Sequence, residues 1–355
     1  MRRIIFGICA IVGLAAITPS CETDFSLNGD YTITPVVFGL LDQNQSTHMI
    51  KITKAYLGDG DNLVYAQNPD SNYFQQVDAR VIEYVDSEPS GREWSLYDSI
   101  ITNKDTSGLF YGPEQKVYVF REPALDENAE YELIIDINEG QHEVKGRTTL
   151  LSGFDVSGQL SLPTYKVTFN NANPTSSTDY KAWIFTVTEA LNAADYNYKY
   201  TFNFTEFYMD GSSQSFSLER NEGNQSQEKP SNPQVQTASF GGLSFFEWLD
   251  TQIPDDDNVD YRIMTGLDLQ IAVAHEDLAQ YIDVAQPVTS ISQVEPVYTN
   301  LENSLGLFSS RFIYEQYNFR LVKNSMRELC IGQFTGTKKF CSQYVEDNTE
   351  SWACP

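Results

Sequence analysis

The sequence predicts an all-β protein with a few short helices: an N-terminal immunoglobulin-like β-sandwich followed by a larger antiparallel β-rich domain. Three observations carry that expectation. Aromatic residues make up 13% of the chain, with 21 Tyr and 21 Phe. Many short segments alternate apolar and polar residues, which sets one face on a core and the other in water. Gly, Asp, Asn or Pro bounds each segment, and long runs with helical spacing are scarce.

The elements follow in chain order. Alternation predicts strands over 31–41, 48–56, 77–85, 116–121, 131–137 and 142–149. The last two flank Asn138-Glu139-Gly140, a turn sequence. They read as the closing hairpin of the sandwich (31–152), with a boundary near Ser152-Gly153. Segments 163–170, 180–189, 197–208 and 213–220 read as strands of the second domain (153–325), with Asp210-Gly211 turning the last pair. Residues 221–236 are polar with two prolines and read as a plain loop, a ligand-facing excursion being the alternative. Helical spacing over 243–253 aligns Phe246, Leu249 and Ile253; over 275–285 it turns Leu278 and Ile282 inward. Residues 326–355 are expected as a cysteine-containing tail.

The N-terminus is a separate signal. Arg2 and Arg3 precede an apolar run from Ile4 to Ile17, then small residues and Cys21. This is the layout of a signal peptide over 1–20, shorter than the about 20 apolar residues of a membrane-spanning helix. Read as a lipoprotein signal, it makes Cys21 the first mature residue and the site of acyl chains, with 21–30 as tether. Thr18 stands three residues before Cys21, where a lipobox usually has Leu. Glu22 and Asp24 follow, either as a surface-display signal or as a solvated tether.

Losing Arg2 and Arg3 takes the 23 basic residues to 21 against 49 acidic ones, a net −28. Such a field repels nucleic acid and anionic lipid surfaces. Cys330, Cys341 and Cys354 crowd the C-terminus, where an oxidising compartment allows one bridge and one leftover thiol. Their spacing leaves the pairing open and matches no zinc signature.

Motifs for chemistry are few, and neither a catalytic residue nor a cofactor is expected. His48 and His142 fall inside predicted strands, and His275-Glu276 lacks the second His of a zinc-protease helix. No G-x-S-x-G elbow, P-loop or dinucleotide fingerprint appears, and Gly241-Gly242 before a helix is weak evidence for phosphate. Asp59 and Asp61 resemble part of a calcium loop without its later Glu, so an acidic turn is the plainer reading; Asp255-Asp256-Asp257 reads as a solvated turn. Trp94, Trp183, Trp248 and Trp352 are candidates for stacking on sugars, with core packing the plainer role for each. Phe245, Phe246 and Trp248, on a short helix beside the polar loop, are the candidate ligand or partner contact.

Two stretches carry a family resemblance. IKITKAYLGDGDNLVYAQNPDSNYF (50–74) resembles a block near the start of certain Bacteroidota lipoproteins. LENSLGLFSSRF (301–312) resembles their late N-x-x-G-L-G-x-F block, with Ser304 where Gly is usual and Gly306 retained. The family is domain-of-unknown-function family 4249, outer-membrane lipoproteins. The resemblance implies a non-enzymatic protein of the outer membrane, facing periplasm or cell surface, that accompanies a TonB-dependent receptor or another envelope protein in nutrient capture. A glycan-binding module and a hydrolase with paired carboxylates are the alternatives. The two blocks themselves read as structural devices: alternation at Ile50 and Ile52, and a bend at Gly306.

Overall fold

β-Branched and aromatic side chains at every second position build the first half of the molecule. The computed structural model describes residues 33–55, 62–102, 111–112, 114–171, 173–226, 235–285 and 297–355. The strands are β1 (Pro35–Leu41), β2 (Thr47–Lys54), β3 (Val77–Val85), β4 (Glu88–Ser95), β5 (Tyr97–Ile101), β6 (Gln115–Arg121), β7 (Glu130–Ile137) and β8 (His142–Thr149). Short helices α1 (Asn62–Ala66) and α2 (Pro69–Asn72) link β2 to β3. Strands β1, β2, β6 and β5 lie in one sheet, and β8, β7, β3 and β4 in another. Between them pack Val37, Ile50, Ile52 and Phe120 from the first sheet and Val81, Tyr131, Leu133 and Ile135 from the second. This is the two-sheet sandwich the alternation predicts. The β7–β8 turn takes positive φ at Asn138, Glu139 and Gly140.

The second half adds β9 (Asp155–Val156), β10 (Lys166–Val167), β11 (Ala182–Thr188), β12 (Ala193–Tyr208), β13 (Ser213–Ser226), β14 (Val235–Gly241), helix α3 (Gly242–Gln252), β15 (Val259–His275), helix α4 (Glu276–Ala285), β16 (Leu301–Glu302), β17 (Leu305–Leu321), helix α5 (Lys323–Ile331) and β18 (Phe340–Cys341). Its core is aromatic: Phe169 stacks on Phe245 at 4.1 Å, and Trp183 meets Phe240 edge-on at 5.4 Å.

One strand joins the halves. The first part of β17 runs parallel to β1, from Val36↔Leu305 to Leu41↔Ser310. Its second part pairs antiparallel with β15, from Ala274↔Arg311 to Leu267↔Phe319. A single sheet therefore runs in the order β13-β12-β15-β17-β1-β2-β6-β5. The two cores separate at adjacent residues, Leu150 in one and Leu151 in the other, while β17 gives Phe308 to the first and Phe319 to the second. Parallel neighbours need a crossover; here most of the chain is that crossover.

Several expectations need correction. The strand over 163–170 shrinks to Lys166–Val167. Residues 221–226 extend β13 and 235–236 open β14, so the expected loop is shorter at both ends. Helix α4 buries no residue: Leu278 is half-buried and Ile282 is exposed. Residues 326–355 are not a tail, because Met326, Leu329, Cys330, Phe340 and Trp352 belong to the second core.

Candidate functional site

Cys21, Asp59 and Asp61 lie outside the described residues. The aromatic contact expected on α3 is core instead. Phe245 and Phe246 are fully buried, and Trp248 packs against the same cluster under the Arg220 guanidinium, 5.8 Å from its ring. Phe245 and Phe246 cannot meet a partner without unfolding the helix, whereas Trp248 stays partly exposed. Gly242 also serves packing: a Cβ there would lie 2.0 Å from the carbonyl oxygen of Phe169. Trp183 and Trp352 are core residues, and Trp94 stacks on Phe120 and donates to Glu122. Among the described residues the exposed large aromatics are Tyr97 on β5 and Tyr317 on β17. Four strand spacings separate those strands, about 19 Å, so the two rings form no platform for a sugar. Of the acidic turn, Asp255 pairs with Lys338 at 3.2 Å and Asp256 accepts from Asn258.

The histidines join elements. His142 Nε2 donates to the Asn303 carbonyl at 2.7 Å, holding β8 to the turn before β17. His275 Nε2 meets Thr149 Oγ1 at 3.1 Å, and Asp277 follows it on α4. Thr149, His275 and Asp277 tie the end of β8 to the start of α4. His275 Nδ1 lies 3.2 Å from the Asp277 backbone nitrogen and 3.4 Å from its carboxylate. The Asp277 carboxyl is held below its usual range, first by His275 and then by Tyr298 and Asn300. The cluster is a latch: Thr149 ends the sandwich, and its carbonyl also accepts from Ser310 Oγ at 2.6 Å.

The strongest candidate site lies where β1 ends. Asp42 follows the last core residue of β1 and opens the turn to β2. Gln45 N–H donates to its carbonyl at 3.0 Å, and Asn44 N–H donates to its Oδ1 at 2.9 Å. This side-chain turn fixes the carboxylate. Because β17 runs parallel to β1 with Ser310 opposite Leu41, the next residue, Arg311, arrives beside Asp42. Helix α4 covers this outer face of the sheet, and Tyr281 meets Phe38 edge-on at 5.6 Å. The result is a cleft of about 510 Å³, with Phe38, Met49, Leu278 and Tyr281 among its apolar walls and Asp42, His48 and Arg311 among its polar groups.

The electrostatics are unusual for a surface cleft. Asp42 is 2% exposed, and its Oδ2 is buried with no hydrogen-bond partner. An unmet buried polar atom costs about 1–3 kcal/mol. Burial raises the Asp42 pKa, against the pull of the Asn44 N–H, Arg311, His48 and the Ile313 N–H. His48 is equally buried, stacks on Phe120 at 4.7 Å, and donates from Nε2 to the Glu122 carbonyl at 3.1 Å. Burial lowers its pKa and keeps the ring neutral. Arg311 is exposed at the rim and makes no ion pair among the described residues. Asp42 and Arg311 thus share a cleft without meeting. A larger groove of about 720 Å³ opens beside Asp78, Tyr97, Asp98 and Lys116, where Lys116 already pairs with Asp98 at 3.4 Å.

Sequence reasoning missed this site. The Asp-x-Asn turn at 42–44 was a signal for a fixed carboxylate. Its partner Arg311 is far away in sequence, and only the β1–β17 register reveals it.

No family model and no curated protein matches the chain. Among solved structures it is similar to the C-terminal globular domain of an oligosaccharyltransferase from Pyrococcus abyssi, with 10% sequence identity and a TM-score of 0.21. The match covers 70% of this chain and 49% of that one, so it spans about half of that structure and carries no argument about activity.

Proposed function

We propose that the protein is a non-enzymatic lipoprotein of the outer membrane, anchored through Cys21, that assists nutrient capture beside a TonB-dependent receptor or another envelope protein. The Asp42 cleft carries this reading. It joins apolar walls to a few fixed polar groups, one of them a buried acceptor without a partner, which is the composition of a small-molecule binding site. The two family-like blocks support it. Block 50–74 begins in β2 and block 301–312 runs into β17, so they flank β1 on either side, and the second block contains Arg311.

A thermal-shift panel of sugars, amino acids, nucleosides and organic acids on the full chain tests the reading. The expected result is a saturable shift with one compound class, recovered chemically unchanged and lost in Asp42→Asn. Turnover of the compound, or no shift across the panel, would count against it.

A further inference from the structure

We propose that the Asp42 cleft binds a zwitterionic α-amino acid with an apolar side chain, its ammonium on Asp42 and its carboxylate on Arg311. The inference rests on the capture reading and names the ligand.

The argument starts from two charged residues that line one cleft without an ion pair between them. Asp42 Oδ2 is a buried acceptor with no donor. Arg311, on the neighbouring parallel strand, lines the same cleft and makes no ion pair among the described residues. A simple amine would satisfy Asp42 but stand beside the Arg311 guanidinium. A simple carboxylate would satisfy Arg311 but bring a second negative charge towards Asp42, in a chain of formal net charge −26. Like-charge approach in a partly desolvated site is unfavourable. A ligand with both charges two bonds apart satisfies both groups and adds no net charge. A guanidinium also suits a carboxylate, which it grips with two parallel N–H donors.

The walls select the rest of the molecule. Phe38, Met49, Leu278 and Tyr281 line the cleft, and Met49 is 47% exposed. Methionine adapts its shape to varied apolar partners. A leucine, methionine or phenylalanine side chain would cover these groups. His48 stays neutral through burial, so it adds no competing charge.

Isothermal titration of the full chain with L-leucine, N-acetyl-L-leucine and L-leucinamide is the test. Leucine is expected to bind saturably. The acetyl compound, which lacks the ammonium, and the amide, which lacks the carboxylate, are each expected to bind at least about 30-fold more weakly. Arg311→Gln, at an exposed position, is expected to weaken leucine by a similar factor and to leave leucinamide no weaker than before. Equal binding of leucine and N-acetyl-leucine, or unchanged leucine affinity in Arg311→Gln, overturns the proposal. If no amino acid binds while another panel compound gives an Asp42-dependent thermal shift, this inference falls and the capture reading stands. If nothing in the panel binds, both fall.

Discussion

A methyl group on Gly306 would lie 2.0 Å from the carbonyl oxygen of Val37. These residues face each other in the parallel β1–β17 pair, the junction that makes one sheet of the two halves. Gly306 has φ +104°, a conformation that L side chains rarely adopt. Gly306→Ala should therefore combine backbone strain with a clash against main chain, and lose about 3 kcal/mol or more. Urea denaturation measures this. A loss below about 1 kcal/mol would show that the junction yields.

Arg262 is wholly buried. Its Nε and Nη2 reach Glu206 Oε1 at 2.8 and 2.7 Å, and Nη1 donates to the Lys338 carbonyl at 2.6 Å. Removing only the carboxylate leaves an uncompensated buried cation. Glu206→Leu is expected to cost about 3–5 kcal/mol, and the double variant with Arg262→Met to recover most of that. A double-mutant cycle by denaturation reads the coupling; additive losses would contradict it.

Cys341 and Cys354 are bonded, and Cys330 is a buried free thiol whose pKa burial pushes up to about 12. A soluble form starting at residue 22 should show no labelling by a thiol reagent when native and one labelled thiol when denatured without reduction. Replacing Cys341 and Cys354 with Ser should cost about 3 kcal/mol on the loop-entropy model. Three labelled thiols in the denatured protein would refute the bridge.

Burial lowers the His48 pKa from its ordinary 6.5. Below pH 6.5 the unfolded chain then binds more protons than the folded one, so stability is present above that value and is lost as pH falls through the window beneath it. Asp42 acts in the opposite sense: its raised pKa makes stability fall as pH climbs above the ordinary 3.8. His48→Gln keeps a donor for the Glu122 carbonyl and cannot titrate. It should flatten the decline in denaturation midpoint between about pH 6.5 and 5. An unchanged slope would place the effect on another group.

Cys21→Ala should release the protein from membranes in fractionation, because acyl chains on that residue are the anchor the sequence implies. No helix among the described residues is long and apolar enough to cross a membrane. A variant that still pellets and resists a salt wash would locate the attachment elsewhere.

Period-two patterning alone determined that this chain is β-rich. It placed β3 and β8 with their observed ends and found the β7–β8 hairpin, because alternation is a local property that both strand and turn must obey. It could not tell an aromatic that faces water from one that faces a core. Phe245 and Phe246 read alike in either role, and only the packing of Phe169 against α3 decided it. Nor could it show that residues 326–355 complete the second core, since short apolar residues among turns look the same in a tail. The candidate site was least legible of all. Asp42 and Arg311 carry no shared motif, and they become neighbours because β17 lies parallel to β1. Parallel pairing joins segments through a crossover of any length, so sequence distance holds no trace of it.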